Sequence, residues 1–354
     1  MDGEMILFAL VSAVIAWFLV LLWVYLDTKA RGCQPTGWVI GVFLLGFLFL
    51  PLWLSTRPRL LDPEERGSRY PDIRQAVGLT IFVMVLRGIL SIIPAVFSDP
   101  LEIDLKVSGG IALATFGLVI LYGVRKTGGP FGKALPFGRF DLTLLLPMSL
   151  TVGGLFILVG ELGNLLARLL PVPSELVESF YETVFSDPVG AIFAVIIIAS
   201  LGEEMLFRGL ILRGFLNRYT LGKSVFASAL LFGAVHQNLW QLPSAVILGS
   251  LLAWWFAKTR SLWPCVFGHA LFNGLAVLWV HAGGLHGGTY RATLVFLPLW
   301  IDLAAGAAVV LGIWLLVQMF PKTKWEPDGG LEERVPQLGG GQTGGDEEDL
   351  WRST

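Results

Sequence analysis

The sequence is poor in charge and in cysteine. Only 15% of its 354 residues are charged, whereas 55% are hydrophobic, and the mean hydropathy is +0.71. One soluble core could not hide so much apolar surface, so lipid must be part of the solvent. The formal net charge of −2 offers no basic field that would favour nucleic acid as a partner. The two cysteines, Cys33 and Cys265, argue against a disulfide framework.

Other familiar signatures are also missing. The first residues lack the basic region of a signal peptide and include Asp2 and Glu4 instead, and the apolar run from Ile6 to Leu26 is too long for a signal-peptide core. We therefore predict a retained helix there. The sequence has no His-Glu-x-x-His zinc helix, no Gly-x-Ser-x-Gly elbow and no paired transmembrane aspartates.

Apolar stretches bounded by charge or by Pro and Gly clusters mark candidate membrane helices, which need roughly 20 residues each to cross the hydrocarbon. The ten candidates are 6–26, 37–54, 76–97, 108–124, 142–166, 189–217, 225–240, 244–257, 262–280 and 293–319. The fourth, seventh and eighth are short, and they are open to tilted or re-entrant interpretations. We predict an all-α polytopic membrane protein with about ten transmembrane helices.

Loop cations orient the chain, because cytoplasmic loops collect Lys and Arg. With a cytoplasmic N-terminus, 16 cations fall in inside connections and 5 in outside connections, and only the first loop, which holds Lys29 and Arg31, breaks the alternation. We expect an integral protein of a prokaryotic cell membrane with both termini in the cytoplasm. Three regions follow: a transmembrane hairpin with a basic cytoplasmic loop (1–75), a transmembrane domain (76–320) and a disordered Gly-rich acidic cytoplasmic tail (321–354).

Three polar motifs lie in or next to apolar segments, where ionisable residues are costly. They are the runs 202–209 (GEEMLFRG), 232–236 (FGAVH) and 269–273 (HALFN). Glu204 and Arg208 are four residues apart on one helix face, so Arg208 can neutralise Glu204 and leave Glu203 free. His269 and Asn273 are also four apart, so both can face one cavity.

The depths of the motifs allow them to meet. Counted from the predicted cytoplasmic helix ends, Glu203, His236 and His269 lie on the order of 21, 17 and 11 Å deep. A carboxylate with two imidazoles and a carboxamide can supply a base for water, donors for an oxyanion or ligands for a metal. The pattern therefore indicates hydrolytic chemistry in the middle or the cytoplasmic half of the bilayer.

The three motifs, in this order on successive apolar segments, resemble the signature of the CAAX-processing and bacteriocin-processing (CPBP) family, also called the Abi or type II CAAX prenyl protease family. The match covers roughly residues 140–285. The resemblance implies membrane helices that enclose an intramembrane catalytic cavity open to the cytoplasmic side. It implies an endopeptidase for a membrane-associated, prenylated or leader-type peptide, in which Glu204 and Arg208 organise the first motif.

The resemblance also implies catalytic roles. Glu203 is expected to activate the hydrolytic water with help from His236, while His269 and Asn273 are expected to stabilise the oxyanion. Family members are often labelled zinc metalloproteases, and Glu203, His236 and His269 could hold zinc or another divalent metal. The same groups can also work with water alone, and both alternatives stay open here.

Two other functions fit parts of the pattern. A non-catalytic membrane protein could keep the fold and pocket to hold a lipidated or hydrophobic partner. A transporter also suits ten helices, although we find no internal repeat to support one. The partners expected in every case are the bilayer and a peptide or lipidated protein, and the sequence predicts no oligomeric state.

Several further polar residues receive structural interpretations. His281 and His286 lie among glycines and are expected to be loop residues rather than a metal site. Cys265 precedes His269 by four residues and is expected to be inert packing. Pairing, or snorkelling near an interface, is expected for the remaining ionisable residues inside predicted spans, which are Arg87, Glu161 and Asp302.

Overall fold

The computed structural model describes residues 17, 20–29, 31–57, 70–97, 105–170, 172, 181–282 and 296–321, and within these ranges every regular element is helical. After a helical segment at 20–29, nine longer helices follow in the described chain. They are α1 (Pro35–Thr56), α2 (Ile73–Phe97), α3 (Leu105–Thr127), α4 (Leu145–Leu169), α5 (Pro188–Leu216), α6 (Leu221–Ala234), α7 (Leu242–Thr259), α8 (Trp263–His281) and α9 (Leu299–Met319). The predicted all-α class is confirmed.

Within the described residues, fewer helices than the ten predicted are candidate membrane spans. Seven described helices, α2 to α5 and α7 to α9, are long and apolar enough to cross a bilayer. The predicted stretch 225–240 is too long, because α6 ends at Ala234 after 14 residues. Most of the predicted span 6–26 lies outside the described residues, as do His286 and the predicted tail except Pro321.

Helix α1 contradicts the predicted span 37–54. Leu45 leaves the helical region, with φ −137° and ψ 53°, and divides the helix into two arms. The Trp38 and Trp53 rings, one on each arm, lie 5.0 Å apart between centroids. In a straight helix these residues would be separated by about 22 Å. The arms are therefore folded back against each other.

Helix α5 is the centre of the helical core. Its residues from Leu206 to Leu216 are all buried, as are Gly202, Glu203 and Glu204. Small residues allow close packing there, since Gly202 lies against Phe116 of α3. Two stretches of π-helical hydrogen bonding, Ile192–Ala199 and Met205–Leu212, flank the glutamate pair. π-Helical stretches are rare in proteins overall, and those that occur are often found at functional sites.

Helices α6 and α7 form an antiparallel hairpin that packs on α5. Gly249 of α7 lies against Ala229 and Phe232 of α6, which brings the two backbones close together. After α6 ends, His236 lies in a turn, and Gln237 has a left-handed φ of 53°. The Trp240 Nε1 group donates to the Leu170 carbonyl at 2.8 Å, so this turn reaches the C-terminal end of α4.

The opposite end of the molecule gathers basic loops. Arg213 donates to the carbonyls of Lys133 and Ala134 at 2.7 and 2.9 Å, and Arg218 donates to the Tyr70 carbonyl at 2.9 Å. Loops that the sequence predicts to be cytoplasmic therefore meet at the C-terminal end of α5. The helix order from α2 onward is compatible with the predicted alternation of loops.

Candidate active site

The predicted base and both predicted histidines converge from three helical segments. Glu203 is buried on α5, and its Oε2 atom lies 3.8 Å from Nε2 of His236 and 3.9 Å from Nε2 of His269. His236 follows α6, whereas His269 lies on α8, 66 residues after Glu203 in the sequence. The structure thus brings together one oxygen and two ring nitrogens that the sequence placed on separate segments.

His269 lies between the two glutamates. Its Nδ1 atom is 2.9 Å from Oε1 of Glu204, and its ring is buried. A carboxylate can only accept, so Nδ1 must carry the proton of this hydrogen bond. In the neutral ring, Nε2 then presents a lone pair to Glu203. Glu204 therefore fixes both the orientation and the tautomer of His269.

His236 is held in the same way by a backbone carbonyl. Its Nδ1 atom is 2.9 Å from the Phe232 carbonyl, which also can only accept. The neutral ring again turns an unprotonated Nε2 toward Glu203. The side chain of His236 is 17% exposed, more than that of Glu203 or His269. His236 is therefore the most solvent-accessible of the three side chains.

Arg208 binds the glutamates to the α6–α7 hairpin. Its Nε atom is 3.0 Å from Oε2 of Glu204, its Nη2 group donates to the Gly249 carbonyl at 3.0 Å, and its guanidinium lies 4.4 Å from the Phe232 ring centroid. The side chains of Arg208 and Glu204 are fully buried. The pairing that the sequence predicted at four-residue spacing is present, and it joins three helices.

A buried acceptor of the site lacks a hydrogen-bond donor among the described residues. Three acceptors face each other, since the lone pairs of two Nε2 atoms point toward Glu203, whose buried Oε2 has no hydrogen-bond partner in the described residues. Such a buried group requires an explanation. A proton, a water that donates hydrogen bonds or a metal cation can each satisfy it. All three are compatible with hydrolytic chemistry.

A metal fits by donor type. Glu203, His236 and His269 form a His₂Glu set of the kind that binds catalytic zinc. The separations of 3.8 and 3.9 Å lie between the roughly 3.3 Å edge of a tetrahedral zinc site and the roughly 4.5 Å between two groups bonded to one water. Among the described side chains no group of three or more His, Cys, Asp or Glu is arranged as a metal cluster. The metal-bound alternative stays an untested prediction.

Asn273 is engaged outside this group. Its Nδ2 amide donates to the Val195 carbonyl at 2.8 Å and lies 3.5 Å from the Ser200 hydroxyl. Both acceptors belong to α5, in or next to its first π-helical stretch. The amide thus links α8 to α5 one turn beyond His269, and its oxyanion role stays a prediction.

Sequence reasoning missed Ser200 and gave no role to Phe232, the first residue of the second motif. Ser200 is buried one turn before the glutamates, and its position four residues before Glu204 was the available signal. Phe232 packs edge-on against both His236 and His269, with ring centroids 5.3 and 5.5 Å away. It lies four residues before His236, where a helix places it on the same face.

The other polar residues have structural contacts. Glu161 accepts from the Leu297 amide at 2.9 Å, and the Cys265 thiol donates to the Leu252 carbonyl at 3.2 Å in a buried position. Both fit the packing and pairing that the sequence predicts. The loop position predicted for His281 is wrong, because this residue is the last of α8 and its Nδ1 lies 2.9 Å from the Val277 carbonyl one turn earlier. Arg87 is exposed on α2, and one oxygen of Asp302 is buried on α9.

Comparisons with known proteins bear on this region. Residues 185–275 match the family model for type II CAAX prenyl endopeptidase Rce1-like proteins. YdiL of Bacillus subtilis (strain 168), a proposed membrane peptidase, is 27% identical over 96 residues, which cover 26% of this chain and 39% of YdiL. The chain thus spans about two-fifths of the length of this relative. No solved structure matches the chain.

The matched segment contains α5, α6, α7 and part of α8. All six residues predicted for the site lie inside it, namely Glu203, Glu204, Arg208, His236, His269 and Asn273. The family model therefore matches the part of the chain in which Glu203, His236 and His269 converge. This segment of the chain is therefore similar to type II CAAX prenyl endopeptidase Rce1-like proteins, in agreement with the CPBP resemblance of its three motifs.

Proposed function

We propose that the protein is an intramembrane endopeptidase in which Glu203 activates water. The observation that carries the proposal is the convergence of the Glu203 Oε2 atom with two imidazole Nε2 atoms at 3.8 and 3.9 Å. A buried carboxylate with an unpartnered oxygen is placed to take a proton, and positioned general bases contribute typically about 10²–10⁴-fold to a rate.

In the proposed reaction, a water proton passes to Glu203 as the water oxygen attacks the peptide carbonyl. The carbonyl carbon gains a C–O bond and its oxygen becomes an oxyanion. His236 orients the water through its Nε2 lone pair. When the C–N bond breaks, Glu203 returns the proton to the leaving amine, so no further reactant is consumed.

His269 can stabilise the oxyanion when its Nε2 holds the additional proton that would satisfy the three facing acceptors. Its Nε2–H then becomes a donor, and Glu204, bonded to Nδ1 at 2.9 Å, balances the positive charge of the ring. Arg208 holds Glu204 in place through the contact at 3.0 Å. Glu204 and Arg208 are therefore positioning residues that act through His269.

A metal remains a second route to the same reaction. If bound by Glu203, His236 and His269, it would polarise the carbonyl and acidify a water. Purified protein should then contain stoichiometric zinc that is lost together with cleavage activity in His236→Ala. We expect activity without tightly bound zinc, and co-loss of metal and activity would contradict that expectation.

The substrate class follows from the setting. We propose a membrane-associated peptide, such as a prenylated C-terminus or a leader-type segment, which enters beside the α6–α7 turn where His236 is exposed. This turn contacts Leu170, at the end of the molecule opposite the basic loops. The resemblance implies a cytoplasmic opening, so the entry side is a point on which geometry and resemblance differ.

The proposal is tested with Glu203→Gln, which removes the base and keeps the shape. Glu161→Gln, a carboxylate of α4 that bonds the Leu297 amide, is the matched control. Membrane proteomes from cells with each variant are compared by mass spectrometry for cleavage products. We expect products from wild type and Glu161→Gln and none from Glu203→Gln, at equal protein levels and melting temperatures. Products from Glu203→Gln at the wild-type level would overturn the proposal and favour a non-catalytic binding protein.

A further inference from the structure

The two arms of α1 begin and end at the same level. Asp27, near the end of the preceding helical segment, accepts a hydrogen bond from Trp53 Nε1 at 3.1 Å and from Arg57 Nη1 at 3.2 Å. Arg31, just before α1 begins, donates to the same carboxylate at 2.9 and 3.0 Å. Both ends of α1 therefore meet at one carboxylate, although the helix is 22 residues long.

The bend of α1 lies deeper. A Cβ atom on Gly46 would overlap the Trp17 ring, and one on Gly41 would overlap Phe49 of the other arm. Leu45, at the bend, is ten residues from Pro35 and eleven from Thr56, which is about 15 Å along each helical arm. The bend is thus separated from the Asp27 level by about half of the roughly 30 Å hydrocarbon core.

The composition of α1 suits a half-membrane position. Pro35–Thr56 contains no charged residue, and the side chains of Phe43 and Leu44 at the bend are 56% and 66% exposed. The charged groups Asp27, Arg31 and Arg57 lie at the base, away from the bend. The partner that fits an uncharged exposed tip above a charged base is the acyl layer of one leaflet.

The rest of the fold assigns the leaflet. Lys126, in the last turn of α3, donates to the Ser55 carbonyl at 2.7 Å, and Gln75, in the first turn of α2, donates to the Arg57 carbonyl at 3.2 Å. Both contacts lie at the end of the molecule with the basic loops. We infer that α1 is a re-entrant helical hairpin, which enters and leaves the membrane on the basic face and packs its tip among the acyl chains of that leaflet.

This topology removes the one exception in the loop charges. Lys29 and Arg31, which a spanning α1 would place outside, join the basic face instead. Together with the span predicted over 6–26, the hairpin places Asp2 and Glu4 on the opposite face, whereas the sequence alone predicts a cytoplasmic N-terminus. The inference does not depend on the proposed peptidase activity.

The membrane side is tested by cysteine labelling in intact cells with an impermeant maleimide. Reporters are the native Cys33 and an exposed neighbour, Gln34→Cys, each as the single cysteine in a Cys265→Ala background. Arg139→Cys marks the basic face, and Ser186→Cys, between α4 and α5, marks the other. We expect both reporters to follow Arg139→Cys, so that labelling requires permeabilised cells. Labelling of Gln34→Cys with the pattern of Ser186→Cys would overturn the inference.

The fold of the hairpin is tested independently by a distance. Spin labels on Gln34→Cys and Thr56→Cys flank α1, and pulsed electron resonance in nanodiscs measures their separation. A folded-back α1 predicts a separation under about 20 Å, whereas a straight spanning helix predicts about 33 Å. A long distance would overturn the hairpin itself, and a short distance with labelling from outside would overturn only the assigned face.

Discussion

Two acid–arginine clusters in this protein differ in how well they are satisfied. At the base of α1, the carboxylate of Asp27 accepts from Arg31, Arg57 and Trp53, with each donor within 3.2 Å. In the core, Glu203 Oε2 and Glu204 Oε2 lack a hydrogen bond among the described residues. Both oxygens of the Asp27 carboxylate thus accept hydrogen bonds, whereas one oxygen of each core glutamate accepts none among the described residues.

The core cluster is close-packed but misaligned. Arg208 Nε lies 3.0 Å from Glu204 Oε2, close enough for an ion pair, yet the two atoms do not meet the angular requirements of a hydrogen bond. A cluster that only held helices together would gain stability by aligning these groups. The core cluster therefore leaves oxygens of both glutamates without a hydrogen bond among the described residues, whereas both oxygens of Asp27 accept one.

The largest stability effect is expected from Arg208→Ala. The change leaves Glu204 buried without its cation, and breaking a buried pair costs about 3–5 kcal/mol. Melting temperature in detergent should fall, and cleavage should fall with it. Arg57→Ala is the matched change in the Asp27 cluster and should cost less, about 1–2 kcal/mol, with cleavage retained, because Asp27 keeps its hydrogen bonds to Arg31 and Trp53. Equal losses of stability in the two variants would remove the distinction between the clusters.

A smaller effect is expected from Asn273→Ala. The amide bonds the Val195 carbonyl of α5 at 2.8 Å, so its loss should destabilise the protein by about 1–2 kcal/mol. Thermal unfolding and cleavage are measured together, with Ser200→Ala as the control at the longer contact of 3.5 Å. Loss of an oxyanion donor would instead reduce turnover by about 10²–10³-fold at unchanged stability. Reduced turnover at unchanged stability would support the oxyanion role that the family resemblance implies for Asn273.

The helices were largely predictable, because an apolar stretch in lipid must satisfy its own backbone and therefore becomes helical. The error at 37–54 has a physical reason. Hydropathy depends on composition and carries no information on the direction in which the chain runs. Neither Leu45 nor Gly46, which lie at the bend, is a charged residue or a proline that would mark it. Only the contacts of Trp38 with Trp53, and of both α1 ends with Asp27, reveal that the chain turns back.

The sequence was sufficient to predict which residues converge at the site, but not which hydrogen bonds they make. Helical spacing pairs Glu204 with Arg208, but a carboxylate has two oxygens, and spacing accounts for only one of them. The other, Oε1, bonds His269 across 65 residues of sequence. Asn273 similarly shares a helix face with His269 but finds an acceptor at Val195 of α5. Such long-range choices depend on how α8 is set against α5, which local spacing does not encode.

The smallest effect is a pH dependence at the satisfied cluster. Burial raises the pKa of Asp27, but hydrogen bonds and charges from Arg31 and Arg57 outweigh it, so the pKa lies below the ordinary value of 3.8. A depressed pKa in the folded protein stabilises it above the unfolded pKa, and this contribution is lost as pH falls through the folded pKa. We therefore expect Asp27→Asn to lower the melting temperature slightly at neutral pH, by an effect of about 1 kcal/mol or less. The difference from wild type should shrink below about pH 4.

Glu182→Gln, an exposed carboxylate near the other end of the molecule, removes the same charge as a control. A gap between wild type and Asp27→Asn that stays constant from pH 7 to pH 3 would show that Asp27 does not stabilise the fold through its charge.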